Sequence, residues 1–199
     1  LALVIVIALV ATSQLALSLV NWLATLITMP RPLPRMDFSH GIPHESRTIV
    51  VVPTMLLSPQ SIDSLIEALE VRFLANRDDN LHFCLLTDFG DAPTETMPGD
   101  AALLEHAKKN IDELNHKYHP IQADNFLLLH RPRRWNAQEK IWMGYERKRG
   151  KLADLNALLR GTGRERFSLV VGDVAALSGV KFVITLDTDT QLPLDAGRQ

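Results

Sequence analysis

The sequence predicts an α/β domain built on a parallel sheet and preceded by a transmembrane helix. Three observations carry that expectation. Short apolar runs rich in β-branched residues alternate with amphipathic stretches of helical period, the order of a parallel α/β sheet. The last run, Val183-Ile184-Thr185-Leu186, stops at two carboxylates, Asp187 and Asp189, and open α/β sheets bind ligands outside the carboxyl ends of their strands. Residues 1 to 29 contain no Asp, Glu, Lys or Arg, and a membrane span needs about 20 predominantly apolar residues.

The charge-free stretch is expected to form a transmembrane helix over 1–29. Ser13, Gln14, Ser18 and Asn21 give it a polar face suited to helix packing, and Trp22 suits a headgroup boundary. No basic region precedes the run, which disfavours a signal peptide. The chain begins inside the apolar run, so it reads as part of something longer. Residues 30–47 follow as a juxtamembrane linker, opening with PRPLPR, which cannot continue a helix. Arg31 and Arg35 place the globular part on the cytoplasmic side by the positive-inside bias. The single cysteine, Cys84, permits no disulfide within one chain and agrees with a reducing compartment.

The globular domain is expected over 48–199. Thr48 to Val52 reads as a first buried strand ended by Pro53-Thr54. Ser58-Pro59 starts a helix, as cap residue and first helical proline, and Ile62, Leu65, Ile66, Leu69 and Phe73 share one face of it. Leu81 to Thr87 reads as a second strand, with Asp88 and Asp91 just past its end. Ala101 to Tyr118 is a helix striped by Leu103, Leu104, Ala107, Ile111 and Leu114. Phe126 to Leu129 is a third strand, and Lys151 to Arg160 a short helix closed by Gly161-Thr162-Gly163. Phe167 to Val171 is a short strand, and Val180 to Leu186 a strand buried on both faces.

In such a sheet the strand ends converge, which brings Thr54, Asp88, Asp187 and Asp189 to one edge. Two acids separated by Thr188 can share one hard cation, and magnesium or manganese commonly holds substrate phosphates at such sites. An Asp/Thr turn is the plainer reading of the same residues. The net charge of −2 is unevenly spread: eight bases crowd residues 131 to 151, against Glu139 and Glu146. That points to a local anionic partner and away from nucleic acid. Gly150-Lys151, at the expected helix start, suits a diphosphate, while a patch resting on anionic lipid is the competing reading. Trp135, Trp142 and Tyr145 interleave the bases. No Walker loop, no helix-opening GxGxxG and no Gly-x-Ser-x-Gly elbow occurs. His40 and His44, with Gly41 and Pro43 between them, read as loop residues and not as zinc ligands.

The tract RPRRWNAQEKIWMGYERKRGKLADLNALLRG, followed by FVITLDTDTQLP, resembles the glycosyltransferase family 84 domain of bacterial cyclic β-1,2-glucan synthases, related to processive membrane glycosyltransferases of the GT-A fold. The resemblance covers Arg47 to Gln191. It implies a GT-A-like nucleotide-diphospho-sugar-binding domain, seen here as its N-terminal, donor-binding half. It implies UDP-glucose as donor, a β-1,2-glucan acceptor and Mg²⁺ or Mn²⁺ as cofactor. Thr54 and Asp88 match positions that hold the uridine, and Lys151 and Asn156 match a Gly-Lys…Leu-Asn motif near the diphosphate. Asp187 and Asp189 match the DxD motif, with Asp189 as metal ligand and Asp187 nearer ribose and metal. Met55-Leu56 departs from the acidic or polar residue that many relatives carry. The resemblance also implies that the general base and the acceptor motif lie beyond Gln199, that the remaining domains of a full-length synthase are partners, and that the location is the bacterial inner membrane. Two rivals stay open: a metal-dependent nucleotidyltransferase, which needs further metal acids and a different donor preference, and a non-catalytic membrane-tethered interaction domain, which would show no metal-dependent nucleotide binding.

Overall fold

The structure, a computed structural model, describes residues 1–28, 36–119 and 125–198. It divides into two compact units, Leu1–Met36 and Asp37–Gln199. The expected PRPLPR linker, with Arg31 and Arg35, lies outside the described residues.

The first unit is the helix α1, Ala2–Ile27. Its mean hydropathy of 2.5 and its 26 residues make it long and apolar enough to cross a membrane. At 1.5 Å per residue it spans about 39 Å, beyond the ~30 Å of a bilayer core. Three of its hydroxyls turn inward onto the helix. Thr12 Oγ1 donates to Ala8 O at 2.8 Å, Ser13 Oγ to Val10 O at 2.8 Å and Thr25 Oγ1 to Trp22 O at 2.7 Å. These three hydroxyls are thereby satisfied without water.

The second unit holds β1 (Thr48–Leu56), α2 (Pro59–Ala75), β2 (Leu81–Phe89), α3 (Asp100–Tyr118), β3 (Phe126–Arg131), β4 (Arg134–Asn136), β5 (Ile141–Met143), α4 (Arg147–Leu159), β6 (Leu169–Val171) and β7 (Phe182–Thr185). Five strands form a sheet in the order β6-β3-β2-β1-β7. β1, β2, β3 and β7 are parallel, while β6 joins the edge antiparallel. The sheet is therefore mostly parallel, not wholly so. The chain winds outward from β1 through β2 and β3, then returns to the other side of β1 with β7. That reversal makes the carboxyl ends of β1 and β7 the switch point of the sheet, where α/β folds open a crevice.

Side-chain alternation sorts the core into two layers. Val50, Val52, Phe83, Leu85, Phe126 and Leu128 face α2 and α3. Ile49, Val51, Cys84, Leu86, Leu127 and Leu129 face α4. Both faces are covered, which is why these strands read as continuous apolar runs. The expected caps are present. Ser58 and Ser61 form a reciprocal capping box at the start of α2. At the end of α4, Thr162 N–H bonds to Ala157 O and Gly161 N–H to Leu158 O, with Gly161 at φ 81°, a Schellman motif.

Several expected boundaries move. β1 runs through Pro53 to Leu56. Thr48 N–H bonds towards β2, and Val51 O accepts from Leu186 on the β7 side. Pro53 shares the parity of Val51 at a level where β7 has ended, so its missing N–H breaks no ladder bond. β2 continues to Phe89, so Asp88 is a strand residue, not a turn residue. α4 begins at Arg147, four residues before the expected start, so Lys151 sits in its second turn and not at its N-terminus. The segment between β3 and α4 contains an unexpected hairpin, β4–β5. β7 is not buried on both faces. Its four residues alternate between half-buried and exposed, with Val183 38% exposed, because it is an edge strand covered on one side by the α2 layer.

Candidate functional site

A cleft of about 420 Å³ opens at the switch point. β1 lends Pro53, Thr54 and Met55 to its wall, β2 lends Asp88 and Phe89, and α4 lends Arg147, Lys148 and Lys151. Thr188, between the two expected metal acids, completes the rim.

The floor is a buried charge cluster. Asp88 follows Cys84 and Leu86 on the α4 face of β2, and Arg131 follows Leu127 and Leu129 on the same face of β3. Asp88 and Arg131 are register partners across the two strands. Arg131 Nε donates to Asp88 Oδ1 at 2.9 Å and Nη2 to Oδ2 at 3.0 Å. Lys151 Nζ lies 3.3 Å from Asp88 Oδ2 and also donates to Thr54 O. Asp88, Arg131 and Lys151 are 2%, 3% and 4% exposed. Arg131 Nη1 also donates to Asp154 Oδ2 at 2.7 Å, and Nη2 to Tyr145 O at 3.1 Å, which ties the start of α4 to the sheet. A buried charge needs such pairing to be tolerable.

Helical side chains lean towards their N-terminus, so α4 aims its first two turns back at the cleft. Burial pushes the Lys151 pKa below the usual lysine value, and the neighbouring Asp88 carboxylate opposes that. Lys148, one turn earlier, pairs with Asp187 across the mouth. Arg147 reaches Asp91 at 2.8 Å. Gly144 precedes this turn because the chain passes directly over Asp88: a Cβ there would collide with the carboxylate. Gly150 is equally constrained, its Cβ position falling on Tyr145 O.

Of the residues expected at the site, Thr54, Asp88 and Lys151 line the cleft, and Asp187 reaches its mouth through Lys148. Asp189 is exposed two residues further on. Asn156 is exposed and does not line the cleft. Five residues beyond Lys151, it is turned about 140° around the helix. The basic segment is not one solvated patch. Arg131, Arg133 and Lys151 are buried. Arg133 bridges Asp100 at 2.5 Å, donates to Gly90 O at 2.6 Å and stacks over Phe89 at 4.8 Å. The exposed bases Arg134, Lys140, Arg147, Lys148 and Arg149 surround the β4–β5 hairpin. There Trp135 and Trp142 are paired across strands with centroids 5.9 Å apart.

Sequence reading passed over two residues that organise this site. Arg131 appeared only as one of eight bases. Arg72 follows Leu69 by three residues on the apolar stripe of α2, and that position was the available signal. Arg72 is 1% exposed, and its guanidinium bonds the carbonyls of Thr188 and Thr190.

Among the described residues, no three His, Cys, Asp or Glu side chains gather as a metal site. Asp187 and Asp189 supply two exposed carboxylates, one engaged by Lys148. That donor set fits a magnesium-like ion that takes its remaining oxygens from a substrate diphosphate, because magnesium commonly binds through one or two carboxylates plus phosphates.

Comparison with known proteins adds one decisive likeness. Over 184 residues, 92% of this chain, the sequence is 42% identical to the cyclic beta-(1,2)-glucan synthase NdvB of Rhizobium meliloti (strain 1021). The chain is a relative of that synthase. It spans 6% of the synthase's length. No protein-family profile matches the chain. The aligned length is large enough to include most of the cleft-forming unit.

Proposed function

We propose that this chain is the donor-binding part of a metal-dependent, inverting glucosyltransferase that takes glucose from UDP-glucose in β-1,2-glucan synthesis, with a GT-A-like domain on the cytoplasmic side of a bacterial inner membrane. The observation that carries the proposal is the 42% identity to a cyclic β-(1,2)-glucan synthase across 92% of the chain. The switch-point cleft supports it, with Thr54, Asp88 and Lys151 in its wall and Asp187 at its mouth.

In this reading the uridine lies over the end of β1, against Thr54 and the floor set by Asp88. Met55, half-exposed beside Thr54, gives that wall an apolar character. Lys151 faces the diphosphate from below and Lys148 from the mouth. Asp187 and Asp189 would hold Mg²⁺ or Mn²⁺, which when bound supplies charge neutralisation at the diphosphate. Fixed positive charge in a partly dehydrated cleft stabilises the leaving group more than the same charge in water. An acceptor hydroxyl of the growing glucan attacks the anomeric carbon. The bond from that carbon to the diphosphate oxygen breaks with its electron pair, and the hydroxyl proton passes to a general base. The acceptor approaches opposite the leaving UDP, which inverts the anomeric centre. In this reading the base and the acceptor motif lie beyond Gln199.

Calorimetry of UDP with and without Mn²⁺, on wild type and Asp189→Asn, tests the proposal. The expected result is a UDP affinity that Mn²⁺ raises in wild type and leaves unchanged in the variant. Equal affinity in all four titrations would sink the donor-site reading.

A further inference from the structure

A buried guanidinium sits beneath the loop that carries the two exposed acids. Arg72 projects from the fourth turn of α2, on the stripe that otherwise buries Ile62, Ile66, Leu69 and Phe73. Its Nη2 donates to Thr188 O at 2.9 Å and to Thr190 O at 2.8 Å, and its Nε to Thr190 O at 3.2 Å. Among the described residues no carboxylate lies in ion-pair contact with it. A buried cation held by carbonyls alone is costly, and a leucine or methionine would fill the stripe without that cost.

The anchoring extends along the same helix face. One turn on, Asn76 Nδ2 donates to Leu192 O at 3.3 Å, and Asn76 Oδ1 accepts from Gly197 N–H at 2.9 Å. Ala75 O accepts from Asp195 N–H at 2.9 Å. The end of α2 thus clamps the chain from Thr188 to Gly197. Within that clamp Asp189 occupies a distinctive place. Its two neighbours both present their carbonyls to one guanidinium, and Thr190 N–H closes back on Asp187 O at 3.0 Å. The carbonyl before Asp189 and the carbonyl of Thr190 after it are drawn towards α2, while Asp187 and Asp189 themselves are exposed.

We infer that Arg72 is the positioning residue of the acidic loop: its bonds to the Thr188 and Thr190 carbonyls hold Asp187 and Asp189 in the geometry that receives a divalent cation together with a nucleoside diphosphate. The inference rests on the donor-site reading above. Arg72 touches neither ligand. It acts through the two carbonyls, and a planar fork that bonds both at once is what arginine offers and lysine lacks. Groups behind metal ligands typically change metal affinity by about 10- to 100-fold when removed.

The test compares the chain in detergent micelles as wild type, Arg72→Met, Arg72→Lys and Asp189→Asn. Mn²⁺ binding is followed by electron paramagnetic resonance with and without UDP, and amide exchange over residues 188–192 by mass spectrometry. Arg72→Met should weaken UDP-coupled Mn²⁺ binding about 10- to 100-fold, and Arg72→Lys should recover part of it. Both should accelerate exchange at 188–192 while β1 and β2 stay protected. Should Arg72→Met not fold, Arg72→Lys decides, because it keeps the cation and loses the fork. Wild-type exchange at 188–192 in the folded variants would overturn the inference. Absence of UDP-coupled Mn²⁺ binding in wild type would refute the donor-site reading, and with it the ligand named here, while the exchange measurement would still decide whether Arg72 anchors the loop.

Discussion

Arg131 grips Asp88 with two parallel hydrogen bonds of 2.9 and 3.0 Å, from adjacent strands and out of reach of water. The same guanidinium holds Asp154 and the carbonyl of Tyr145. Removing it leaves the buried Asp88 with Lys151 alone and frees the start of α4. Arg131→Met should therefore cost about 3–5 kcal/mol in urea unfolding, the usual loss when one partner of a buried pair is deleted. Arg131→Lys should recover little, because an ammonium cannot satisfy Asp88 with two parallel bonds. A loss below 1 kcal/mol (about the worth of an exposed pair) would show that the cluster is not a stability element.

Asp88 has two tasks in this arrangement, and they separate by substitution. Asp88→Asn keeps the shape and removes the countercharge of Arg131 and Lys151. It should lower both stability and UDP affinity. Asp91→Asn, at the exposed rim with Arg147, should leave stability within about 0.5 kcal/mol. Calorimetry and urea titration on the same preparations check both. Unchanged UDP affinity in Asp88→Asn would remove this residue from the donor site.

Gly144 passes so close to the Asp88 carboxylate that no side chain fits between them. Gly144→Ala should destabilise by about 1–3 kcal/mol, as overpacking does, and should displace Asp88 from Arg131. Gly179→Ala, where nothing lies within 4 Å but φ is 83°, carries only the backbone penalty. Thermal melts of the two variants should place Gly144→Ala lower.

Two histidines give the fold an acid-side dependence. Burial pushes His82 down to about 4, helped by the nearby Arg47 charge, and pushes His130 down to about 3, helped by Lys151 and Arg133. Below the ordinary value of 6.5 the unfolded chain binds these protons and the folded chain does not. Stability is therefore full above pH 6.5 and falls on acidification until the pH passes the folded values. The slope should approach roughly 1.4 kcal/mol per pH unit for each histidine. Urea midpoints measured from pH 7.5 to 4.5 read it directly, and His82→Gln should flatten the curve. A flat wild-type profile would show that the rings are protonated inside the fold.

The orientation proposed for the membrane segment has its own test. A cysteine placed at the exposed Ser39 should be labelled by an impermeant reagent only after the cytoplasmic side is opened. Labelling in intact spheroplasts would reverse the topology. Leu15→Arg, in the middle of α1, should reduce membrane integration, because a central arginine costs about 2.5–3.5 kcal/mol on insertion scales.

Periodicity made the layout legible. The stripes of α2 and α3 and the runs of β1, β2 and β3 follow directly from alternation, and the caps at Ser58 and Gly161 follow from residue chemistry. Strand ends were less legible. Pro53 reads as a terminator, and only the unpaired side of β1 makes it harmless. The apolar run of β7 looks the same whether one face or two are covered. At the site, the carboxylates and Lys151 stood out as charges beside apolar runs. Arg131 and Arg72 did not, because a sequence shows a base without showing whether it reaches water or a buried acceptor. The β4–β5 hairpin hid inside a basic segment whose strands are only three residues each.

β7 meets β1 at the pairing of Thr48 with Phe182, across most of the domain's length. Contacts between such distant parts of a chain form slowly, because loop closure must precede their reward. β1 and β2 can pair early, around the single helix α2. The strand that delivers Asp187 and Asp189 arrives only after β3, the hairpin, α4 and β6 have been placed. The acidic rim therefore depends on the pairing that closes the longest loop of the sheet, through a strand of only four residues, and the bonds from the end of α2 to the Thr188, Thr190 and Leu192 carbonyls hold in place what that short strand alone would secure weakly.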